Sequence, residues 1–166
     1  RAGQGRMDAA EPRINALTER MDAEALELAR SAEEAFGASP AEELPPLLGI
    51  PVATKEKHAI AGRSLSQGLA QTQVAAEVDS TVVRRIRAAG GIVHARTTSP
   101  QFSCATFTHS PLWGVTGNPW NPERSPGGSS GGAGAALAAG YAPLATASDI
   151  AGSTRLPAGF TGTLLA

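Results

Sequence analysis

The sequence predicts an α/β protein, and three observations carry that reading. Residues 48–54, with Ile50 and Val52, and residues 92–95, Ile92-Val93-His94-Ala95, are apolar, β-branched runs of strand length. Between them Val82, Val83, Ile86 and Ala89 recur at helical spacing, with Asp79 as the N-cap and Gly90-Gly91 as the stop. An Ala-rich segment, 133–139, then precedes a third short strand at 144–146. Strand–helix–strand alternation of this kind builds a mixed or parallel sheet.

The remaining elements follow in order. Residues 1–10 read as the end of a helix closed by Pro12, and 14–18 as a short edge strand. Asp22 caps a helix over 23–36, with Ala25, Leu28, Ala29, Ala32 and Phe36 on one face and Gly37 just past its end. A Pro-rich loop fills 39–46. From 97 to 132 no regular element is predicted, because Pro100, Pro111, Pro119, Pro122 and Pro126 interrupt the segment. Phe102, Trp113 and Trp120 argue that this long stretch is ordered and functional. The tryptophans read as core of the loop, His109 as a loop brace, and Cys104 as a packed small hydrophobe.

Composition excludes several classes. Among 166 residues, Lys+Arg (14) balance Asp+Glu (15), which argues against a nucleic-acid module built on a basic face. The single cysteine, Cys104, excludes a disulfide framework and a multi-Cys zinc site. Neither His nor Asp residues show metal-ligand spacing, so neither metal nor cofactor is expected. No apolar run is long enough to span a membrane. Residue 1 is Arg and the last residues are apolar, so both ends read as cut, and 1–166 as an incomplete single domain. The only lysines are Lys55 and Lys57.

The run Gly127-Gly128-Ser129-Ser130-Gly131-Gly132 admits several readings. A flexible linker would suit its composition, but it lies between a Trp/Pro segment and an Ala-rich helix. A phosphate-binding loop needs a lysine at the helix start, and none follows Lys57. The dinucleotide fingerprint fails because Leu137 occupies the third glycine position. A nucleophile elbow matches formally at 127–131, yet no strand precedes it, and His58, His94 and His109 all come before Ser129. A serine hydrolase without histidine can use a lysine held neutral by burial or by a nearby cation. Lys55 follows the apolar run 50–53 and is the candidate for that base.

These segments together resemble the amidase signature family, from about Ile14 onward. Leu48-Gly49-Ile50-Pro51-Val52-Ala53-Thr54-Lys55 is similar to its lysine strand, and Asp79-Ser80-Thr81-Val82-Val83 with Ala88-Ala89-Gly90-Gly91 to its next helix. Asn118-Pro119-Trp120-Asn121, Ser125-Pro126-Gly127-Gly128-Ser129-Ser130-Gly131-Gly132 and Ser148-Asp149-Ile150-Ala151-Gly152-Ser153-Thr154-Arg155 with Pro157 resemble the signature itself. The resemblance implies a mixed sheet covered by helices and a Ser–Ser–Lys triad. Ser153 would be the nucleophile, Ser129 the bridging serine after a cis peptide from Gly128, and Lys55 the base. Backbone N–H groups of Ile150, Ala151, Gly152 and Ser153 would form the oxyanion hole. Gly128, Ser130, Asp149 and Arg155 would support the site, the last two by bracing the loop.

The implied activity is hydrolysis of a small-molecule carboxamide through an acyl-enzyme, releasing ammonia or an amine, in a cytoplasmic enzyme and without a cofactor. An amidotransferase subunit that hydrolyses glutamine for misacylated tRNA shares the segment. The resemblance thus leaves room for amidotransferase partners or a homo-oligomer, with no nucleic acid bound directly. A non-catalytic binding module is the third reading, and it requires Lys55, Ser129 and Ser153 to lie apart. Residues 1–166 alone are not expected to form an active enzyme. The pattern departs from the family at Ala151 (usually Gly), Glu56-Lys57 (usually Asp-Asn), Thr98, Gln101 and Thr161. Ala151 would be strained if that position needs a positive φ. Glu56 would raise the pKa of Lys55 if close, and Lys57 would lower it.

Overall fold

A computed structural model of the protein describes residues 2–165. The chain begins with α1 (Ala2–Ile14), β1 (Leu17–Arg20) and α2 (Asp22–Ala38). A 3-10 turn (Ala41–Glu43) leads to β2 (Pro51–Lys55), and β3 (Ser64–Leu65) and β4 (Val74–Ala75) form a small antiparallel pair. Then come α3 (Thr81–Ala88), β5 (Ile92–Thr97), a second short pair β6 (His109–Ser110) and β7 (Gly114–Val115), α4 (Gly131–Ala138), β8 (Leu144–Ala145) and α5 (Arg155–Thr161).

The main sheet runs β1-β5-β2-β8, with β5, β2 and β8 parallel and β1 antiparallel at the edge. This is the predicted mixed sheet covered by helices. Strands β2 and β5 lie inside the sheet, and every residue of β5 is buried. That explains why both read as continuous apolar runs rather than alternating ones. His94 is an extra residue in β5: Val52 pairs with Val93, and Ala53 with Ala95. The insertion turns Val93 and Ala95 to opposite faces. On one side Ala95 joins Met7 and Ile14 of α1, Ala135 and Ala136 of α4, and Tyr141. On the other, Val93 packs with Val83 and Ile86 of α3, Met21 and Ile60. Among the described residues no helix is long and apolar enough to cross a membrane.

Several boundaries move for identifiable reasons. Helix α1 passes through Pro12, because Ile14 is buried and Asn15 N still donates to Glu11 O at 2.9 Å. Asn15, with φ 53°, then ends the helix, so the edge strand starts at Leu17 and not at 14. Asp22 is the first residue of α2 rather than its cap; the cap is Met21, which has no side-chain hydrogen bond. Gly37 lies inside α2, and Leu28 and Phe36 of its predicted face are about half exposed while Ala32 is buried. Ser80, not Asp79, caps α3 by accepting from Val83 N. Asp79 instead accepts from Ala61 N at 2.8 Å and pairs with Arg87.

Candidate active site

The site lies at the C-terminal ends of the parallel strands, where open α/β sheets bind ligands. Strand β2 ends in Lys55, whose side chain is fully buried. The segment 127–130 enters α4 above it, and the segment 148–153 leaves β8 beside it. Lys55 Nζ donates to Ser129 Oγ at 2.7 Å, Ser130 Oγ at 2.9 Å and Ser148 Oγ at 3.0 Å. These three contacts match the three N–H bonds of an ammonium, while a neutral amine offers two N–H bonds and one lone pair. Burial, with the charge of Lys57 added, pushes the amine down to about 7, and Asp149 opposes that fall.

The Gly128–Ser129 peptide is cis. Gly128 is required by close approach: a Cβ there would sit 2.7 Å from both Ala105 O and Phe107 N. Thr108 clasps the same segment, since its Oγ1 donates to Gly127 O at 2.9 Å and accepts from Gly131 N at 3.1 Å. The serines are thus held by backbone contacts to the long Pro-rich stretch. That stretch is ordered, with Asn118 Nδ2 and Trp120 Nε1 donating to Phe160 O and Thr161 O at the end of α5. Trp120 is nevertheless 74% exposed, so its tether is polar and it is not core. His109 is exposed and stacks on Phe107.

Ser153 lies in the loop after β8, and its carbonyl accepts from Ser130 N at 3.1 Å. Its side chain makes no hydrogen bond among the described residues. Ser153, Ser129 and Ser148 line one cavity of about 390 Å³. The non-catalytic reading requires Lys55, Ser129 and Ser153 apart; Lys55 contacts Ser129 directly, and Ser153 lines the same cavity as Ser129 without a hydrogen bond to either side chain among the described residues. A second cavity of about 310 Å³, between α4 and α5, contains neither Ser129 nor Ser153.

Asp149 organises the loop. Its carboxylate accepts from Gly152 N (2.7 Å), Thr154 N (3.1 Å) and Arg155 N (3.2 Å), and from the Arg155 guanidinium at 2.9 and 3.0 Å. Arg155 and these backbone donors hold its carboxyl well below the usual carboxylate range. The predicted oxyanion donors therefore need a correction. The Gly152 N–H is already committed to Asp149. Among the described residues, the N–H groups of Ile150, Ala151 and Ser153 have no acceptor. Gly152 carries the positive φ of the loop (106°), so Ala151 is not strained.

Other expectations also change. The Glu56 side chain turns toward Ser66, Gly68 and Ser99, and Arg96 donates to its carbonyl at 2.8 Å. Asp149, rather than Glu56, raises the pKa of Lys55. Cys104 is exposed and lines the cavity instead of packing in a core. The sequence reading missed three contributors. Ser148 is the third partner of Lys55, and its place at the head of the segment 148–155 was the available signal. Thr146 Oγ1 accepts from Lys55 N at 2.8 Å and meets His58 Nδ1 at 2.9 Å. Burial and the nearby Lys57 and Lys55 charges lower His58 to about 4, so its ring is neutral at pH 7. Thr146 Oγ1 accepts from the Lys55 backbone, and the tautomer of the His58 ring sets which of Oγ1 and Nδ1 donates to the other.

The family model for Amidase matches residues 1–164. The chain belongs to the amidase family. It is 43% identical over 154 residues to the indoleacetamide hydrolase of Bradyrhizobium diazoefficiens, covering 92% of this chain and 29% of that protein. It is 38% identical over 164 residues to a glutamyl-tRNA(Gln) amidotransferase subunit from a Synechococcus strain, covering 95% and 32%. The solved peptide amidase of Stenotrophomonas maltophilia superposes with a TM-score of 0.85 at 30% identity, covering 96% of this chain and 34% of that one. This amidase-family chain thus spans between 29% and 34% of the length of these relatives.

Proposed function

We propose that the protein of which these residues form part hydrolyses a carboxamide C–N bond through Ser153, Ser129 and Lys55. One observation carries the reading: a fully buried lysine, lowered to about 7, contacts a serine in a cavity shared with a second serine. A serine hydroxyl is a weak nucleophile until a base takes its proton. Neutral Lys55 takes the Ser129 proton as Ser129 takes that of Ser153. Ser153 Oγ then bonds to the amide carbon, and the carbonyl π electrons move onto oxygen. N–H groups of Ile150, Ala151 and Ser153 receive that oxyanion, each contributing about 2.7–4 kcal/mol by comparison with other oxyanion holes. The proton returns through Ser129 to the nitrogen as the C–N bond breaks, releasing ammonia or an amine. Water repeats the sequence on the acyl-enzyme, freeing the acid and Ser153. The balance is amide plus water giving carboxylic acid plus amine.

Similarity to the Synechococcus protein supports a second reading in which the amide is that of glutamine and the ammonia passes to a partner. A substrate panel separates the two, since the amidotransferase reading expects glutamine to exceed simple amides. The test of the shared chemistry is labelling of the full-length protein by a fluorophosphonate, read by peptide mass spectrometry. Label at Ser153, lost in Ser153→Ala and slowed at least 100-fold in Lys55→Ala, is the expected outcome. Undiminished labelling of Ser153 in both Lys55→Ala and Ser129→Ala would refute the relay.

A further inference from the structure

Lys57 lines the cavity that holds Ser129 and Ser153, two residues beyond the base. It is exposed and forms no ion pair among the described residues. Among the described residues no carboxylate lines the cavity. Glu56 adjoins Lys57 in the chain and Asp149 adjoins the lining residues Ser148 and Ile150, and both are engaged elsewhere. Asp149 is clamped by Arg155 and three backbone N–H groups, and Glu56 faces Ser66 and Ser99. The cavity therefore presents one unbalanced positive charge, that of Lys57, on the same lining as Ser153. An uncompensated cation at a ligand cavity attracts anionic ligands and repels cationic ones.

We infer that Lys57 is a specificity-determining residue that selects amides carrying an anionic group. The inference rests on the amide-hydrolase reading and adds the substrate class. The Lys57 ammonium binds the substrate's anion at the cavity rim while the amide carbonyl lies between Ser153 and the free loop N–H groups. Rim exposure keeps the contact partly solvated, so its effect is moderate and falls with salt.

The test compares succinamate with 4-methylpentanamide, in which an isopropyl group replaces the carboxylate at equal length. kcat/KM is measured for both on the full-length protein and on its Lys57→Met and Lys57→Arg variants. The ratio is the readout, because altering Lys57 also changes the protonation of Lys55 and scales both substrates alike. Wild type is expected to favour succinamate roughly tenfold, the size of one partly solvated charge-assisted hydrogen bond. Lys57→Met abolishes the preference, Lys57→Arg retains it, and added salt weakens it. A ratio near one in wild type, or one unchanged in Lys57→Met, overturns the inference. Calorimetric titration of full-length Ser153→Ala, with and without Lys57→Met, reads the same preference as binding. Lys57-dependent binding of succinamate without turnover of either amide by wild type would overturn the hydrolase reading and leave the anion site standing.

Discussion

Replacing Lys55 by Met tests how burial makes a base, and the magnitudes follow from its position. A lysine at its ordinary value of 10.5 is neutral at pH 7 in about one molecule in 3,000; at about 7, about half are neutral. Burial and Lys57 thus enlarge the reactive fraction roughly 1,500-fold. The wild-type kcat/KM rises about tenfold per pH unit below pH 7 and levels off above it. The same shift acts on stability. The folded value lies below the unfolded one, so the unfolded chain holds more protons between about pH 7 and 10.5, and stability climbs with pH through that window. Between pH 7 and 9 the gain is about 2 kcal/mol for this residue. Lys55→Met removes both effects, leaving no measurable turnover and a flatter stability curve. The assays are kcat/KM from pH 5 to 9 on an amide substrate and urea unfolding of both full-length forms at pH 7 and 9. A rate that stays level from pH 5 to 8, or equal stability changes in the two forms, would refute the reasoning.

Other perturbations give separate readouts. Asp149→Asn loosens the loop that carries Ser153 and is expected to lower kcat/KM by about 100-fold, the scale of a small misplacement of reacting groups; it also moves the acidic limb of the pH profile downward, because Asp149 raises the pKa of Lys55. Thr146→Val leaves Lys55 N–H without its acceptor and costs about 1–3 kcal/mol in chemical denaturation. Gly128→Ala places a Cβ 2.7 Å from two backbone atoms and is expected to abolish soluble expression. Gly159→Ala, in α5 with nothing within 4 Å of the added Cβ, should instead raise Tm through a gain of about 0.5–1 kcal/mol.

The parts legible in the sequence were those set by local pattern. The runs ending at Lys55 and containing Val93 announce interior strands, because burial on both faces leaves no polar alternation. The helix over Val82, Val83 and Ile86 shows its apolar spacing and its Gly90 stop. Elements fixed by tertiary partners were harder to read. The start of β1 depends on where Asn15 turns the chain and where β5 offers a partner, and neither is local. Helix α5 escaped notice because Pro157 and Gly159 weaken its propensity; the Asn118 and Trp120 tethers at its end come from about 40 residues away. Lys55, Ser129 and Ser153 were recognised through motif resemblance. Thr146, and His58 which it contacts, come to Lys55 through the β2–β8 pairing, which no short motif encodes.

The extra residue at His94 has an energetic consequence. Without it, Val93 and Ala95 would share a face and a set of packing neighbours. With it, one belongs with α3 and the other with α1 and α4, although they are next-nearest neighbours along the chain. Truncating Val83 and overfilling Ala135 should therefore add in a double mutant, since they belong to separate buried clusters on opposite sides of the sheet. A single inserted residue lets the layer behind α4 vary independently of the layer behind α3.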